Sequence, residues 1–525
     1  MLTKTQPDEM QSYLADASNL AGGHAARVVW PESAAEAAEV LRAAAQTRTP
    51  VTVAGAGTGI VGGRVPCGGV VLATDRLNRI GAIEHVENGG RATVGAGVTL
   101  AEFRRAVEAR GLFYPPDPTE WSCYMGGTVA TNASGARTFK YGPTRRYVRR
   151  LQLALVTGDV LELERGQIKA DASGRLHVPL AGGRSIKAQL PGYCMPQTRK
   201  HVAGYFVAPE LDALDLFIGS EGTLGVITEI EVTLLPKPAG LLGGVAFFAA
   251  EADLLAFVAE ARTRSLRTRA EQARANQFIV YPDGQKTAAA PDWCSGIGID
   301  ARALEYFDAQ SLELLRPHYQ YLPAAAVGAI FFEQEITEDS EADHLAEWYA
   351  LLQAHRALED SWFARDETDQ ARLREFRHHL PVLVNEWLTR HGQRKVSTDM
   401  AVPDEAFAGM LDFYQTTLRA SGLQYVIFGH IGDNHLHVNL LPRNDAEAAQ
   451  ARSLYAQFIA RAVQVGGTIS AEHGIGKIKR DYLRALYGEQ ALREMAALKR
   501  AFDPAGILGR GNIFAEELLS ATSDG

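Results

Sequence analysis

Short apolar runs of strand type alternate along this chain with segments in which apolar residues recur at the helical period, a pattern that predicts an α+β protein. Pro31–Gln46 (PESAAEAAEVLRAAAQ) sets Pro and Glu ahead of an alanine-rich helix, which leads straight into an apolar strand at Val51–Ala54. Short strands follow in VVLAT and RATVGAG, and then a helix in TLAEFRRAVEARG, opened by a Thr cap and closed on Gly111. Periodicity lapses over Phe113–Tyr147, a stretch dense in Gly, Pro, Asn and Ser, and irregular segments of that length usually serve a ligand. The strands LQLALVT and DVLELE come next, followed by a polar segment from Gly166 to Lys200 that reads as a surface excursion. Asp212–Pro238 reads as an apolar strand, a glycine turn and a long alternating strand, with Pro236 and Pro238 marking a boundary. Beyond it GGVAFFA, EADLLAFVAEARTR, ALEYFDAQSLELLR, AVGAIFFEQE and EADHLAEWYALLQAH alternate strand and helix again, predicting a second α+β domain. Thr468–Phe514, with a glycine-bearing site and a helix, is expected to pack back on the first half.

A chain of 525 residues, 46% of them hydrophobic, is long enough for two or three domains with a large core. The net charge of -9 argues against a nucleic-acid binder or a protein held on an anionic membrane by charge. Cys67, Cys123, Cys194 and Cys294 are widely separated, which speaks against an iron–sulfur or structural zinc site and for a reducing compartment. With no apolar leader and no bilayer-length apolar run, the expectation is a soluble cytoplasmic protein without a transmembrane segment.

The glycine pattern after the first strand changes the picture. VTVAGAGTGIVGG contains Gly57, Gly59 and Gly62 in the G-x-G-x-x-G spacing of a nicotinamide-binding turn, which works only where a helix opens at the last glycine. Here Gly63, Arg64, Val65, Pro66, Cys67, Gly68 and Gly69 come next, and the chain then re-enters a β-branched run at Val70. A phosphate-cradling nest between two strands is implied, and with it a different nucleotide fold.

Two polar clusters mark the C-terminal half. In YVIFGHIGDNHLHVNLL a strand delivers His430, turns, and returns with His435, His437 and Asn439 on one face by period-2 alternation. Farther along, GGTISAEHGIGKIKR sets Glu472 beside His473 among glycines. Imidazoles and a carboxylate suit a divalent ion such as zinc or manganese. Spacing alone leaves that reading open beside a plainer one, in which these are polar residues of an exposed hairpin and of an unrelated loop. The residues RHH at Arg377–His379 read most simply as a solvated helix face.

The series GAGTGIVGG, PPDPT…MGGTVATNASGARTFKYG, GSEGTLGVITEIEVTLLPKP, FGHIGDNHLHVNL, GGTISAEHGIG and LKRAFDPAGIL, collinear from about residue 25 to 514, resembles the FAD-dependent D-2-hydroxyacid dehydrogenases of the vanillyl-alcohol oxidase superfamily. These include D-lactate and D-2-hydroxyglutarate dehydrogenases and the glycolate oxidase flavin subunit. The resemblance implies a PCMH-type FAD-binding domain over residues 1–238, made of two α+β subdomains with the insertion at about 166–200. It also implies a cap domain with an antiparallel sheet over 239–467 and a returning segment over 468–525. Non-covalent FAD would lie against Ala54, Gly55, Ala56, Gly57, Thr58, Gly59 and Gly62, and against Pro118, Gly126, Gly127, Thr131, Asn132, Ser134 and Gly135, with Gly222 and Ile227 near the ribityl or adenosine portion. The matching metal ligands are His430, His437 and Glu472, the matching base is His473, and Arg377, with Asn439, matches the substrate side.

The implied reaction is oxidation of a D-2-hydroxyacid, a D-lactate-like monocarboxylate for preference, with hydride passing to the flavin. A quinone, a cytochrome or an electron-transfer flavoprotein would take the electrons, and a homodimer and peripheral attachment at an inner membrane are compatible with the resemblance. A metal-independent FAD oxidase or transferase of the same fold, acting on an alcohol, a phenol or an alkyl-glycerone phosphate, is one alternative; a metal-dependent hydrolase is the other. The chain departs from its relatives where they read G-D-G-N-L-H, since His435 here is an extra imidazole able to join, replace or crowd a ligand. It departs again at LGRGNIF, and at Arg374, where relatives carry an aromatic residue.

Overall fold

The computed structural model describes residues 1–275, 279–280, 286–287 and 298–520, so Cys294 lies outside the described residues. The helix Ala34–Gln46 begins where Ser33 accepts a hydrogen bond from Glu36 N, and it buries Ala37, Ala38, Val40, Leu41 and Ala44. That face joins a core with Val29, Val51, Val70 and Leu72 of a four-stranded sheet ordered Leu2–Lys4, Arg27–Trp30, Val70–Ala73, Val51–Ala54. Val70–Ala73 pairs in parallel with both Arg27–Trp30 and Val51–Ala54. The connection between Val51–Ala54 and Val70–Ala73 contains no helix, so the glycine loop leaves one strand and returns to its parallel neighbour as irregular backbone.

A second sheet is antiparallel and ordered Ile80–Val86, Gly89–Gly95, Val226–Pro236, Val148–Ala154, Val160–Glu164. Its long central strand alternates buried and partly exposed residues as the sequence pattern requires. The helix Leu100–Glu108 is closed at its start by a reciprocal capping box between Thr99 and Glu102. The third sheet has eight strands, all antiparallel, running Trp362–Phe363, Gly240–Phe248, Gly328–Ile336, Ala303–Asp308, Tyr425–Gly429, His435–Leu440, Val396–Ser397, with Met400–Ala401 also on His435–Leu440. Gly328–Ile336 is buried along its whole length. The helices Glu251–Ala275, Glu341–Ala354 and Glu367–Arg390 accompany this sheet. Among the described residues no helix is long and apolar enough to cross a membrane.

Residues 507–509 extend the first sheet at its edge, where Val51 N donates to Ile507 O and Gly509 N to Val51 O. Three expectations need correction. Ala213–Phe217 is a short helix, not a strand: Asp212 caps it through Leu214 N, and all five residues are buried, so a short apolar run carried no period to tell the two apart. Phe113–Tyr147 is not wholly irregular, since Met125–Ala130 and Thr138–Tyr141 are helical. The segment from Gly166 to Lys200 is not simply a surface excursion. It folds into a hairpin, Arg175–Pro179 with Ser185–Gln189, that buries Leu176, Val178, Ile186 and Ala188. It then ends on the fully buried Lys200.

Candidate active site

One cleft is lined both by the glycine loop and by Glu472 and His473. Gly55–Gly59, Pro118, Gly126, Gly127, Thr131, Ser134, Gly222 and Ile227 all face it. A Cβ on Gly59 or Gly127 would meet no atom within 4 Å, and one on Gly55 would meet only the Tyr124 ring at 4.0 Å. At Gly55 and Gly59 the loop therefore turns bare backbone to open space, as close approach to a dinucleotide requires, whereas Gly57, at φ +83°, a conformation that favours glycine, packs against the Arg64 guanidinium, which a Cβ would strike. Ala54, Gly62, Asn132 and Gly135 stand behind the lining. Asn132 Oδ1 accepts from Arg145 N, and a Cβ on Gly135 would fall 1.8 Å from Asp117 O.

Glu221, which the sequence pattern marks only as part of a turn, crosses the cleft wall. Its two carboxylate oxygens accept from Ile475 N and Gly476 N, each at 2.7 Å, which ties the GSEG turn to the loop bearing Glu472 and His473. Asn512, within the divergent LGRGNIF, donates to Gly63 O at 2.9 Å and so links the returning segment to the glycine loop.

The polar clusters of the C-terminal half converge. His430 leaves the strand Tyr425–Gly429, and His435 and His437 sit on the strand that returns. His430, His435, His437 and Glu472 each offer a ligand atom within 4.8 Å of the others. This hairpin is not exposed: His430, His435 and Asn439 are buried and His437 nearly so, which removes the plainer reading of a solvated hairpin. His430 Nε2 lies 3.2 Å and His437 Nε2 3.9 Å from Glu472 Oε2. Behind them, His430 Nδ1 meets Glu305 Oε1 at 2.7 Å and His437 Nδ1 meets Thr398 O at 3.2 Å. Backing each imidazole with an acceptor fixes the ring and its tautomer, the arrangement found around metal-bound histidines. The donors are imidazole nitrogens and a carboxylate oxygen, a set that fits a zinc- or manganese-like ion.

Three residues that the sequence pattern does not single out organise this centre. Glu305 binds His430 with one oxygen and receives Arg377 Nε on the other at 3.1 Å, so Arg377 stands braced beside the histidines and not on a solvated face. Asp399, fully buried, accepts from Glu472 N at 3.2 Å, His473 N at 3.0 Å, Ser470 Oγ at 2.7 Å and Lys479 Nζ at 2.6 Å. It also faces His473 Nδ1 at 3.4 Å. Lys200 places its ammonium against Glu472 Oε1, with Gly135 O at 2.9 Å and Asp433 Oδ2 at 3.4 Å. Asn439 donates to His437 O at 3.2 Å and does not line the cleft.

Burial by itself would lower the pKa of His430, but Glu305 and then Glu472 hold it up at about 9. Burial likewise works against ionised Glu472, yet His430 and Lys200 bring it well below the usual carboxylate range. Burial takes His473 down to about 4 against the pull of Asp399, so its ring is neutral near pH 7.

Residues 25–164 match the family described as FAD binding domain, and residues 270–513 match FAD linked oxidases, C-terminal domain. The chain is 30% identical over 491 residues to a D-lactate dehydrogenase of Anaerostipes hadrus, covering 92% of this chain and 88% of that one. It is 28% identical over 502 residues to the glycolate oxidase subunit GlcD of Bacillus subtilis, covering 93% and 89%. It is also 28% identical over 528 residues to a D-2-hydroxyglutarate dehydrogenase of Xanthomonas citri, covering 97% and 94%. Among solved structures, an alkyldihydroxyacetonephosphate synthase superposes with a TM-score of 0.65 at 15% identity over 97% of this chain and 81% of that one, which shows a shared fold.

Proposed function

The chain belongs to the FAD-linked oxidases and is an FAD-dependent oxidoreductase acting on CH–OH groups, and from that premise we propose that it oxidises a D-2-hydroxy monocarboxylate to the 2-oxoacid with the help of a divalent ion. The observation that carries this reading is the meeting of His430, His437, Glu472 and His473 beside the cleft of the glycine loop. Gly55–Gly59 and Gly126–Ser134 would hold the flavin, which would supply the hydride acceptor. His430, His437 and Glu472 would hold a divalent ion, whose positive charge would make an α-hydroxyl acidic.

The protein's own groups do the rest. Asp399 accepts from the backbone on both sides of the Glu472–His473 peptide and faces His473 Nδ1, which leaves Nε2 of a neutral ring to take the hydroxyl proton. Arg377, held by Glu305 through Nε and meeting His378 Nε2 with Nη1 at 3.1 Å, stands behind the cleft lining and would turn its guanidinium to the substrate carboxylate, and Asn439 steadies the strand beneath His437. We also divide the chain into a FAD-binding part at 1–238, a cap at 239–467 and a returning segment at 468–525; the separate sheets and the pairing of residues 507–509 with Val51 support that division.

The test is anaerobic bleaching of the bound flavin by a panel of D- and L-2-hydroxyacids. D-lactate and longer D-monocarboxylates are expected to bleach fastest. Faster reaction with D-2-hydroxyglutarate would reverse the choice of substrate branch, and reaction with L-isomers alone would reverse the stereochemistry. Arg377→Lys is expected to raise the substrate concentration for half-maximal bleaching at least about tenfold, or about 1.4 kcal/mol, because an ammonium cannot form two parallel bonds to a carboxylate. An unchanged half-saturation would remove Arg377 from substrate binding.

A further inference from the structure

We propose that His435 is a fourth protein ligand, so that the ion is held by three imidazoles and one carboxylate. The inference rests on the metal reading of the site and concerns an imidazole that the proposed reaction does not use.

The local backbone suits this placement. Asn434 occupies the left-handed region at φ +53°, which asparagine tolerates better than most residues. The turn therefore keeps its shape, and the next residue enters the returning strand with its side chain fully buried. There the ring packs against its neighbours, with centroids 4.5 Å from His437 and 5.3 Å from His430.

What sets His435 apart is that its Nδ1, inside a fully buried ring, has no hydrogen-bond partner within the protein. A fully buried imidazole in that state is costly unless something else engages it. Each of the other two histidines turns one nitrogen outward to a fixed acceptor, Glu305 or Thr398 O, and the other inward to Glu472. His435 repeats that arrangement with the nitrogens exchanged. Its Nε2 lies 3.1 Å from Asp399 Oδ1, which leaves Nδ1 for the centre. Donor atoms of all four residues lie within 4.8 Å of one another, so small rotations bring them onto one ion at bonds of about 2.0–2.2 Å, and a five-coordinate ion would keep one position for the substrate hydroxyl. A nitrogen-rich set of this kind favours zinc, cobalt or nickel over magnesium or calcium.

The experiment compares the FAD-loaded protein with its His435→Asn and His435→Ala forms. Equal flavin content and melting temperature would show that the variants fold. Cobalt(II) is loaded into each, its absorption and X-ray absorption spectra are recorded, and zinc affinity is measured by competition with a chelator. The expected result is three imidazoles in the native coordination shell and two in both variants, with zinc affinity lower by at least about tenfold. Two imidazoles in the native protein, or an affinity in His435→Asn within about twofold of native, would overturn the proposal and leave the metal reading standing. Failure of the native protein to retain any ion would overturn both.

Discussion

His473→Ala is expected to slow reduction of the flavin by substrate by a factor on the order of 100 or more, with the ion and the flavin both retained. Three features of the structure converge on this result. Asp399 accepts from the backbone N–H groups of both Glu472 and His473, which fixes where the imidazole starts from. It then faces Nδ1 at 3.4 Å, which turns Nε2 away. Burial keeps the ring neutral near pH 7, with its pKa at about 4. A neutral, oriented imidazole lining the same cleft as the glycine loop is poised to take a proton from a hydroxyl group placed there. Stopped-flow bleaching under anaerobic conditions measures the step directly, and metal analysis of the same sample separates loss of the base from loss of the ion. Unchanged bleaching with metal present would take His473 out of the mechanism.

The glycine loop shows how far sequence reasoning reaches. Its flanking strands, Val51–Ala54 and Val70–Ala73, are β-branched and short, and the residues between Gly62 and Val70 hold no helical period, so the absence of a Rossmann helix is legible. The cap strands and their helices are legible for the same reason, since each carries a clean change of period. Where period fails, so does the reading. Ala213–Phe217 is apolar at every position but Asp215, too short and too uniformly buried to distinguish strand from helix. The histidines announce themselves because imidazoles are scarce and these are clustered. Glu305, Asp399 and Lys200 do not, because one acid in a strand, one in a loop and one base at the end of an insertion have no local partner. Their partners lie 125, 74 and 272 positions away, at His430, His473 and Glu472. Long-range charge pairing of this kind is set by tertiary packing and leaves no mark on local pattern.

Lys200 supplies the second large effect. Its side chain is fully buried, and its ammonium is shared by Glu472, Asp433 and Gly135 O. Without that charge two carboxylates would face each other in the interior with His430 as the main remaining cation near Glu472. Removing one partner of a buried ion pair costs about 3–5 kcal/mol. Metal-free Lys200→Met is therefore expected to melt several degrees below the native protein. On the proposed metal reading, a divalent ion reverses the comparison. In the native site it must bind beside an ammonium that already occupies Glu472 Oε1, whereas in the variant it meets the same carboxylate unopposed. Zinc or manganese should thus raise the melting temperature of Lys200→Met by more than that of the native protein, because a ligand stabilises the folded state in proportion to how tightly it binds. Thermal melts of both proteins with and without the ion decide the matter. An equal deficit in both conditions would make Lys200 a structural residue with no bearing on the ion, and the absence of any deficit would show that the buried pair contributes no net stability.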